Sequence, residues 1–274
     1  MNVGDQIHRW QRQYSNAANR LKRRSERTRS LIFALLIAGA ACSIVPFTPL
    51  QTVGALCLAT VALVQIFGLS RQHEVSWVGL RRVSEELKRI LFLNLIGDPD
   101  FADEKAIGET TLLREETPDL LLCLRESDHD TKAVPLVSTA KDYVDRRAHP
   151  QIDYYTNRIE SARRRSNFWR VGEVVLVIAS GAVAIAALVS STDGLPAAVG
   201  VLTTLASVVA AHLAASRFDY DRELYSLTKS RLEAALSAAD IKEANSSEAI
   251  ELVRQIEGIL AAEHGLWVRG RISE

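Results

Sequence analysis

The chain has 274 residues, and its 33 basic residues balance its 33 acidic ones, so net charge indicates no nucleic acid or other polyanionic partner. The three cysteines, Cys42, Cys57 and Cys123, form no C-x-x-C pair, and their spacing excludes the common metal-binding patterns. Cys42 and Cys57 lie in apolar stretches, where we expect them to act as small buried hydrophobes.

Long uncharged stretches dominate the chain: Leu31 to Leu69, Val174 to Thr192, and Gly194 to Ser216 hold no Asp, Glu, Lys or Arg. A helix of about 20 apolar residues crosses a bilayer core. The sequence therefore predicts an all-α integral membrane protein with four transmembrane helices, at about 31–48, 51–69, 173–191 and 195–215. A soluble bundle is disfavoured because these stretches are apolar around their whole circumference. A cleaved signal peptide is disfavoured because the basic segment before the first stretch is long and further spans follow.

The two halves of the chain resemble each other before their apolar stretches, where Tyr14 corresponds to Tyr155 and Asn16 to Asn157. Each half reads as a basic helix, a membrane hairpin and a polar helix. We therefore predict a first unit at 1–97, a cytoplasmic connection at 98–143 and a second unit at 144–274. Four further pairs match: Arg23 with Arg164, Arg24 with Arg165, Ser25 with Ser166, and Arg29 with Arg170.

Positive charge lies on one side of both predicted hairpins. The turns at Val45–Pro49 and Ser190–Pro196 contain no lysine or arginine, whereas the opposite ends of the spans carry many. Positively charged flanks stay in the cytoplasm. The turns are therefore predicted to face outward, and both chain termini to be cytoplasmic.

The segments predicted to be cytoplasmic differ in how clearly their sequences indicate helices. Residues 98–143 hold three prolines and many acids, and we expect an irregular connection with a short helix at Leu120–Leu124 and some helix from Val137 to Arg147. Near the end of the chain, Asn245 and Glu248 have capping-box spacing. The helix that follows has an apolar face that must pack against another cytoplasmic helix or a second subunit, and it is our candidate oligomer interface: Val253, Ile256, Leu260 and Trp267.

The fourth predicted span carries a small, mildly polar face. Its members recur at spacings of three and four and are our candidate pore-lining residues: Gly200, Thr203, Thr204, Ser207 and Ala211. The alternative is that this face packs against another helix with its hydroxyl groups bonded to backbone. Small residues also form rows at Gly39-x-x-x-Ser43 and at Ala206, Ala210 and Ala214, which predict close helix packing.

Two titratable residues lie within the predicted spans. Glu173 begins the third span, where its carboxylate can reach the headgroup level. His212 lies near the cytoplasmic end of the fourth. An ionisable residue in a membrane suggests function, but a neutral imidazole bonded to a neighbouring helix is preferred here to a proton relay.

The sequence contains no recognised catalytic or cofactor-binding motif. G-x-x-x-x-G-K, G-x-G-x-x-G, G-x-S-x-G and H-E-x-x-H are all missing, and the six histidines are scattered. We therefore expect neither an enzyme nor a metal or organic cofactor.

Three segments, Asp145 to Tyr155, Trp77 to Lys88 and the helix from Val253 to Trp267, together resemble the SLATT domains, the SMODS- and SLOG-associating two-transmembrane effector domains. The run from Asp145 to Tyr155 resembles the start of the domain, and Trp77 to Lys88 resembles its segment after the hairpin. The spacing of Val253, Glu257, Glu263 and Trp267 resembles its last helix. The resemblance covers nearly the whole chain as two tandem units, except from Gly97 to Leu136.

This resemblance implies a bacterial inner-membrane protein that acts as a pore-forming effector in conflict systems, often beside proteins of nucleotide signalling. We therefore expect an oligomeric effector or channel-like protein that permeabilises the membrane. Its expected partners are the lipid bilayer, further copies of the chain and a nucleotide-signalling protein encoded nearby. The alternative is a non-conducting scaffold that recruits partners through its cytoplasmic helices. A transporter is disfavoured because no span is broken at its middle by paired Gly and Pro.

Overall fold

The structure is a computed structural model that describes residues 2–44, 47–68, 71–125, 133–190, 194–239 and 246–272. Within these ranges every regular element is helical, which confirms the predicted all-α class. A 3-10 turn lies at Pro99–Phe101 and a π-helical segment at Val144–Ala148. The α-helices are α1 Val3–Ile44, α2 Thr48–Gly68, α3 Arg71–Leu95, α4 Asp103–Glu115, α5 Pro118–Leu121, α6 Ala140–Tyr143, α7 His149–Val189, α8 Leu195–Ser216, α9 Phe218–Ala238 and α10 Ser246–Ile272.

The chain divides into two compact units, each assembled from separate segments. The first, here called the polar unit, contains Met1–Arg23, Gln72–Ile159 and Glu223–Glu274. The second, here called the hairpin unit, contains Arg24–Arg71 and Glu160–Arg222. The predicted repeat divides the chain at different places, because it follows sequence order, whereas each compact unit takes segments from both halves.

The polar unit is built around two apolar clusters. In one, Ile7, Tyr14 and Ala18 of α1 pack against Leu80 and Leu87 of α3, all nearly without solvent exposure. The spacings are seven and four residues in α1 and seven residues in α3, so each set lies on one helical face. The other cluster joins α3, α6, the start of α7, α9 and α10 through residues that include Phe92, Tyr143, Tyr155, Leu232 and Val253.

The segment after α3 is more ordered than predicted. Gly97, with φ of 81°, ends α3: its N–H donates to the carbonyl of Asn94, and that of Asp98 donates to Leu93. Helix α4, of 13 residues, was not predicted, because the residues it buries are the small Ala106 and Thr110. The short helix expected at Leu120–Leu124 is found in part, as α5 at Pro118–Leu121. The helix expected from Val137 to Arg147 begins at Ala140 and consists of α6 and the π-helical segment.

A close crossing of α1 and α2 lies in the hairpin unit. A Cβ atom on Gly54 would lie 2.9 Å from the carbonyl oxygen of Gly39 and 2.9 Å from Ser43 Oγ. Only glycine allows this approach of the two backbones. The row predicted at Gly39-x-x-x-Ser43 therefore packs on Gly54 of α2.

Two described segments, not four, are apolar enough to cross a membrane. They are Ala140–Val189, with a mean hydropathy of 2.3 over its most apolar window, and Leu195–Ala238, with 1.8. These windows are 0% and 11% buried, unlike the core helix of a soluble bundle. In the predicted first hairpin, the apolar part of α2 whose side chains are described, Thr48–Val64, is not one of these two segments. Four membrane helices are therefore not established by helix length and hydropathy.

Candidate functional site

The face predicted on α8 is exposed along its whole length. Gly200, Thr203, Thr204, Ser207 and Ala211 all lie on the surface of the chain. Thr204 donates its hydroxyl proton to the carbonyl of Gly200 at 2.8 Å, and Ser207 donates to that of Thr203 at 3.0 Å. The hydroxyl groups are therefore satisfied by their own helix and need no water.

One polar contact joins α7 to α8 within this hairpin. Ser180 Oγ and Thr203 Oγ1 are 2.9 Å apart, and Thr203 also donates to the carbonyl of Val199. Ala206 and Val209 are buried, so α8 packs within the unit through a different part of its surface. Apart from this contact of Thr203 with Ser180, the small hydroxyl face remains exposed in a single chain.

The outer surface of α7 is apolar and strongly exposed. Ile185 is 65% exposed and Leu188 is 87% exposed. Exposed apolar area of this extent marks a surface that meets lipid or another protein. The further exposed apolar residues are Phe168, Val171, Val174, Val175, Val177, Ile178 and Val189.

His212 lies in an aromatic cluster contributed by four helices. The centre of its ring is 4.7 Å from that of Trp169 in α7, 5.6 Å from that of Phe33 in α1 and 6.4 Å from that of Phe218 in α9. Its Nε2 lies 3.3 Å from Ser216 Oγ, one turn along the same helix. The polar partner is therefore on α8 itself, whereas the sequence favoured a partner on a neighbouring helix. Packing between rings fits a structural role better than proton transfer.

A groove lies where α8 gives way to α9. Arg217 separates the two helices with φ of 49°, a backbone conformation that is uncommon for any residue other than glycine. Arg170 of α7 donates to the carboxylate of Asp219, and Ser166 Oγ is 3.5 Å from the same carboxylate. Glu173 also lines this groove, which has a volume of about 400 Å³.

The candidate oligomer interface on α10 is occupied within the chain. Val253 and Ile256 are fully buried and Leu260 is 7% exposed, all in the apolar cluster with α3, α7 and α9. Trp267 packs edge to face on Trp77 of α3, with 5.4 Å between ring centres. Of the two partners considered for this face, the structure supplies other helices of the same chain. A second subunit cannot use the face while this core is closed.

A buried ion pair lies inside that core. Arg147 Nε donates to Glu257 Oε1 at 2.9 Å and Arg147 Nη2 to Oε2 at 3.3 Å, while the Tyr143 hydroxyl donates to Oε1 at 2.8 Å. Arg147 is 5% exposed and Glu257 is 2% exposed. Neither residue has a role predicted from the sequence, although Glu257 is part of the pattern that resembles the last helix of the SLATT domains. The available signal was a glutamate between Val253 and Leu260 on an otherwise apolar face.

A second charged group occupies the same unit. Glu85 accepts hydrogen bonds from Lys88 at 3.0 Å and pairs with Arg81 at 2.7 Å. Burial raises the pKa of Glu85, but these cations outweigh it and lower the pKa to about 2. Burial lowers the pKa of Lys88 to about 8. For His264, burial and nearby cations lower the pKa to about 4, and its Nε2 is buried without a hydrogen-bond partner.

We predict that the folded protein loses stability in mild acid because of His264. Unfolded, this imidazole takes up a proton near its ordinary pKa of 6.5, whereas the folded chain resists protonation until about pH 4. The free energy of unfolding should therefore fall by up to about 3 kcal/mol between pH 6.5 and 4. Denaturant unfolding of the protein in detergent at several pH values measures this loss. Glu85 adds its own loss only below pH 4.5, its ordinary value.

The control for this prediction is the exposed His149, which lies 3.8 Å from Asp145. His264→Phe should flatten the pH dependence between 6.5 and 4, whereas His149→Gln should leave it unchanged. An equal slope in wild type and His264→Phe would contradict the assignment.

These features define a class of protein: an all-helical chain with an exposed apolar helical hairpin and a charged, well-packed helical unit. Residues 143–267 match the family model described as SMODS and SLOG-associating 2TM effector domain 1. Residues 12–106 match a different model, described as a protein of unknown function (DUF4231). The resemblance to SLATT domains is thus supported for the second half, while the tandem arrangement is not shown. No match was found among curated proteins or among solved structures.

Proposed function

We propose that this chain is an oligomeric effector of the bacterial inner membrane that permeabilises the membrane in a defence or conflict system. The observation that carries the proposal is the hairpin α7–α8, which combines an exposed apolar surface on α7 with an exposed face of small and hydroxyl-bearing residues on α8. The match to a two-transmembrane effector domain covers this hairpin. A protein of nucleotide signalling, encoded nearby, is the proposed source of the trigger.

The α8 face is the proposed contact between copies of the chain. The apolar face of α10 is already packed in the core of the polar unit, so this face is not proposed as a contact between copies. Gly200 and Ala211 allow helices to approach closely, and the threonine and serine side chains can line a narrow path that wets when it widens. In this arrangement the small face turns toward the centre of the oligomer and the apolar surface of α7 toward lipid.

Both chain ends are proposed to be cytoplasmic, because the polar unit contains three separate segments of the chain. Segments 24–71 and 160–222 connect them, so each connecting segment must return to the side from which it left. Arginine-rich flanks assign that side to the cytoplasm. The first hairpin is proposed to insert as well, since its residues Leu31, Val53, Leu56 and Leu63 are strongly exposed.

Reporter fusions test this topology. Fusions at Thr48 and at Asp193, which lies outside the described residues, should report the outer side, whereas fusions at Arg125 and Arg269 should report the cytoplasm. If the fusion at Thr48 reports the cytoplasm and the fusion at Asp193 reports the outer side, only the α7–α8 hairpin is inserted. A cytoplasmic result at both turns would exclude membrane crossing.

Thiol accessibility tests the path itself. In a protein with Cys42, Cys57 and Cys123 replaced by alanine, Thr204→Cys and Ser207→Cys should react with a water-soluble thiol reagent and lose at least half of their conductance or dye leakage. The matched control is Ile185→Cys, on the exposed surface of α7, which should stay inert because it faces lipid.

The three outcomes separate the candidate functions. Block at Thr204 and Ser207 supports a pore along α8. Leakage without reaction at either position would place the path elsewhere in the oligomer. A protein that never leaks, even with its genomic neighbours expressed, would make the chain a non-conducting membrane scaffold.

A further inference from the structure

We infer that the groove at the α8–α9 junction binds a phospholipid with a primary ammonium headgroup, such as phosphatidylethanolamine. This inference rests on the proposed membrane insertion of the hairpin and adds a specific lipid to it. The groove places ionic side chains of both signs beside an apolar wall. Its polar lining includes Ser166, Arg170, Glu173, Arg217, Asp219 and Tyr220.

The charges of the groove match a headgroup that itself carries both signs. Two guanidinium groups, of Arg170 and Arg217, and two carboxylates, of Glu173 and Asp219, line the same space. Arginine is well suited to phosphate because its planar guanidinium donates several hydrogen bonds. The net charge of this set is zero, so it favours a zwitterionic headgroup over one that is only anionic.

Glu173 is the residue that distinguishes a primary ammonium headgroup from a trimethylated one. Asp219 is already engaged by Arg170, whereas among the described residues no hydrogen bond or ion pair reaches Glu173. A half-buried carboxylate at the end of a membrane helix is stabilised by a donor cation. A primary ammonium offers three N–H donors, and the trimethylated ammonium of phosphatidylcholine offers none.

The apolar wall continues directly from these charges. A second, adjoining groove shares Arg170 and Glu173 and is otherwise lined by Val174, Val177 and Ile178, each more than half exposed. An acyl chain fits along this wall, while its headgroup lies among the ionic side chains. A free phosphate ion would use only the polar end and leave the wall uncovered.

Native mass spectrometry of the full-length protein in detergent tests this preference. Wild type should retain phosphatidylethanolamine about tenfold more strongly than phosphatidylcholine of the same acyl chains, which is the effect of one charge-assisted hydrogen bond. Glu173→Gln should abolish the preference, and the matched control Glu160→Gln, at an exposed position that does not line the groove, should keep it. Equal retention of both lipids by wild type, or an unchanged preference in Glu173→Gln, would overturn the inference.

Cross-linking to a photoactivatable phosphatidylethanolamine provides a test that needs no variant. In vesicles of phosphatidylethanolamine and phosphatidylglycerol, labelled peptides should include residues 170–178 and 217–220, and excess inorganic phosphate should not displace the label. Label spread over other parts of α7 and α8 would overturn the assignment of the lipid to the groove but would remain consistent with membrane insertion. Displacement by phosphate would overturn the lipid in favour of a free anion. No label on either hairpin would contradict insertion as well.

Discussion

Replacing Arg147 by methionine is expected to lower the free energy of unfolding of the polar unit by about 3–5 kcal/mol, because it leaves the Glu257 carboxylate buried without its cation. Glu257 is 2% exposed and receives two hydrogen bonds from Arg147. Denaturant unfolding in detergent measures the loss. The tryptophan pair Trp77–Trp267 reports on the same unit through its fluorescence.

A double variant separates loss of the ion pair from general damage to the core. Arg147→Met with Glu257→Gln removes both charges but keeps an acceptor for the Tyr143 hydroxyl, so it should recover most of the lost stability. The control is Lys229→Met, whose partner Glu233 lies 3.7 Å away near the surface and whose loss should cost less than about 1 kcal/mol. A double variant as unstable as Arg147→Met would contradict the buried-charge explanation.

Replacing Val253 by aspartate should unfold the polar unit at every protein concentration. Val253 has no solvent exposure and lies among Tyr143, Leu232 and Ile256. An unpaired carboxylate at this position costs several kcal/mol, a large part of the stability of a typical domain. Limited proteolysis should show rapid cleavage within 223–272, at a rate that does not depend on dilution.

The matched control is Gln255→Asp, on the exposed side of the same helix, which should change stability by no more than about 0.5 kcal/mol. If Val253→Asp instead gave a folded monomer from a wild-type oligomer, the α10 face would be a subunit interface after all. The proteolysis rate and the oligomeric state together distinguish these results.

The sequence predicted the helices of the second half well, because their signals are strong. Uncharged stretches form most of the second part of α7 and all of α8, and they can be recognised without any structure. The apolar face of α10 can be recognised in the same way. Periodicity identifies a face but not its partner. The sequence therefore could not decide whether Val253 and Ile256 would meet another helix of the chain or another chain.

The contacts that organise the polar unit were beyond sequence reasoning because they join distant residues. Arg254 donates to Asp98 at 2.6 Å through both Nε and Nη2, which attaches α10 to the connection after α3. No local pattern relates these two positions. Helix α4 was missed for a different reason, since burial of Ala106 and Thr110 leaves almost no apolar periodicity to detect.

The discontinuous composition of the polar unit determines when it can fold during synthesis. Its last segment, Glu223–Glu274, supplies Leu232, Val253 and Glu257 to the core. A ribosome makes these residues only after it has synthesised both hairpin segments, so Arg147 lacks its counterion until then. A chain shortened before α10 would lack this core and be open to proteolysis. For a protein proposed to damage the membrane of its own cell, quality control would thus remove incomplete copies before they can assemble.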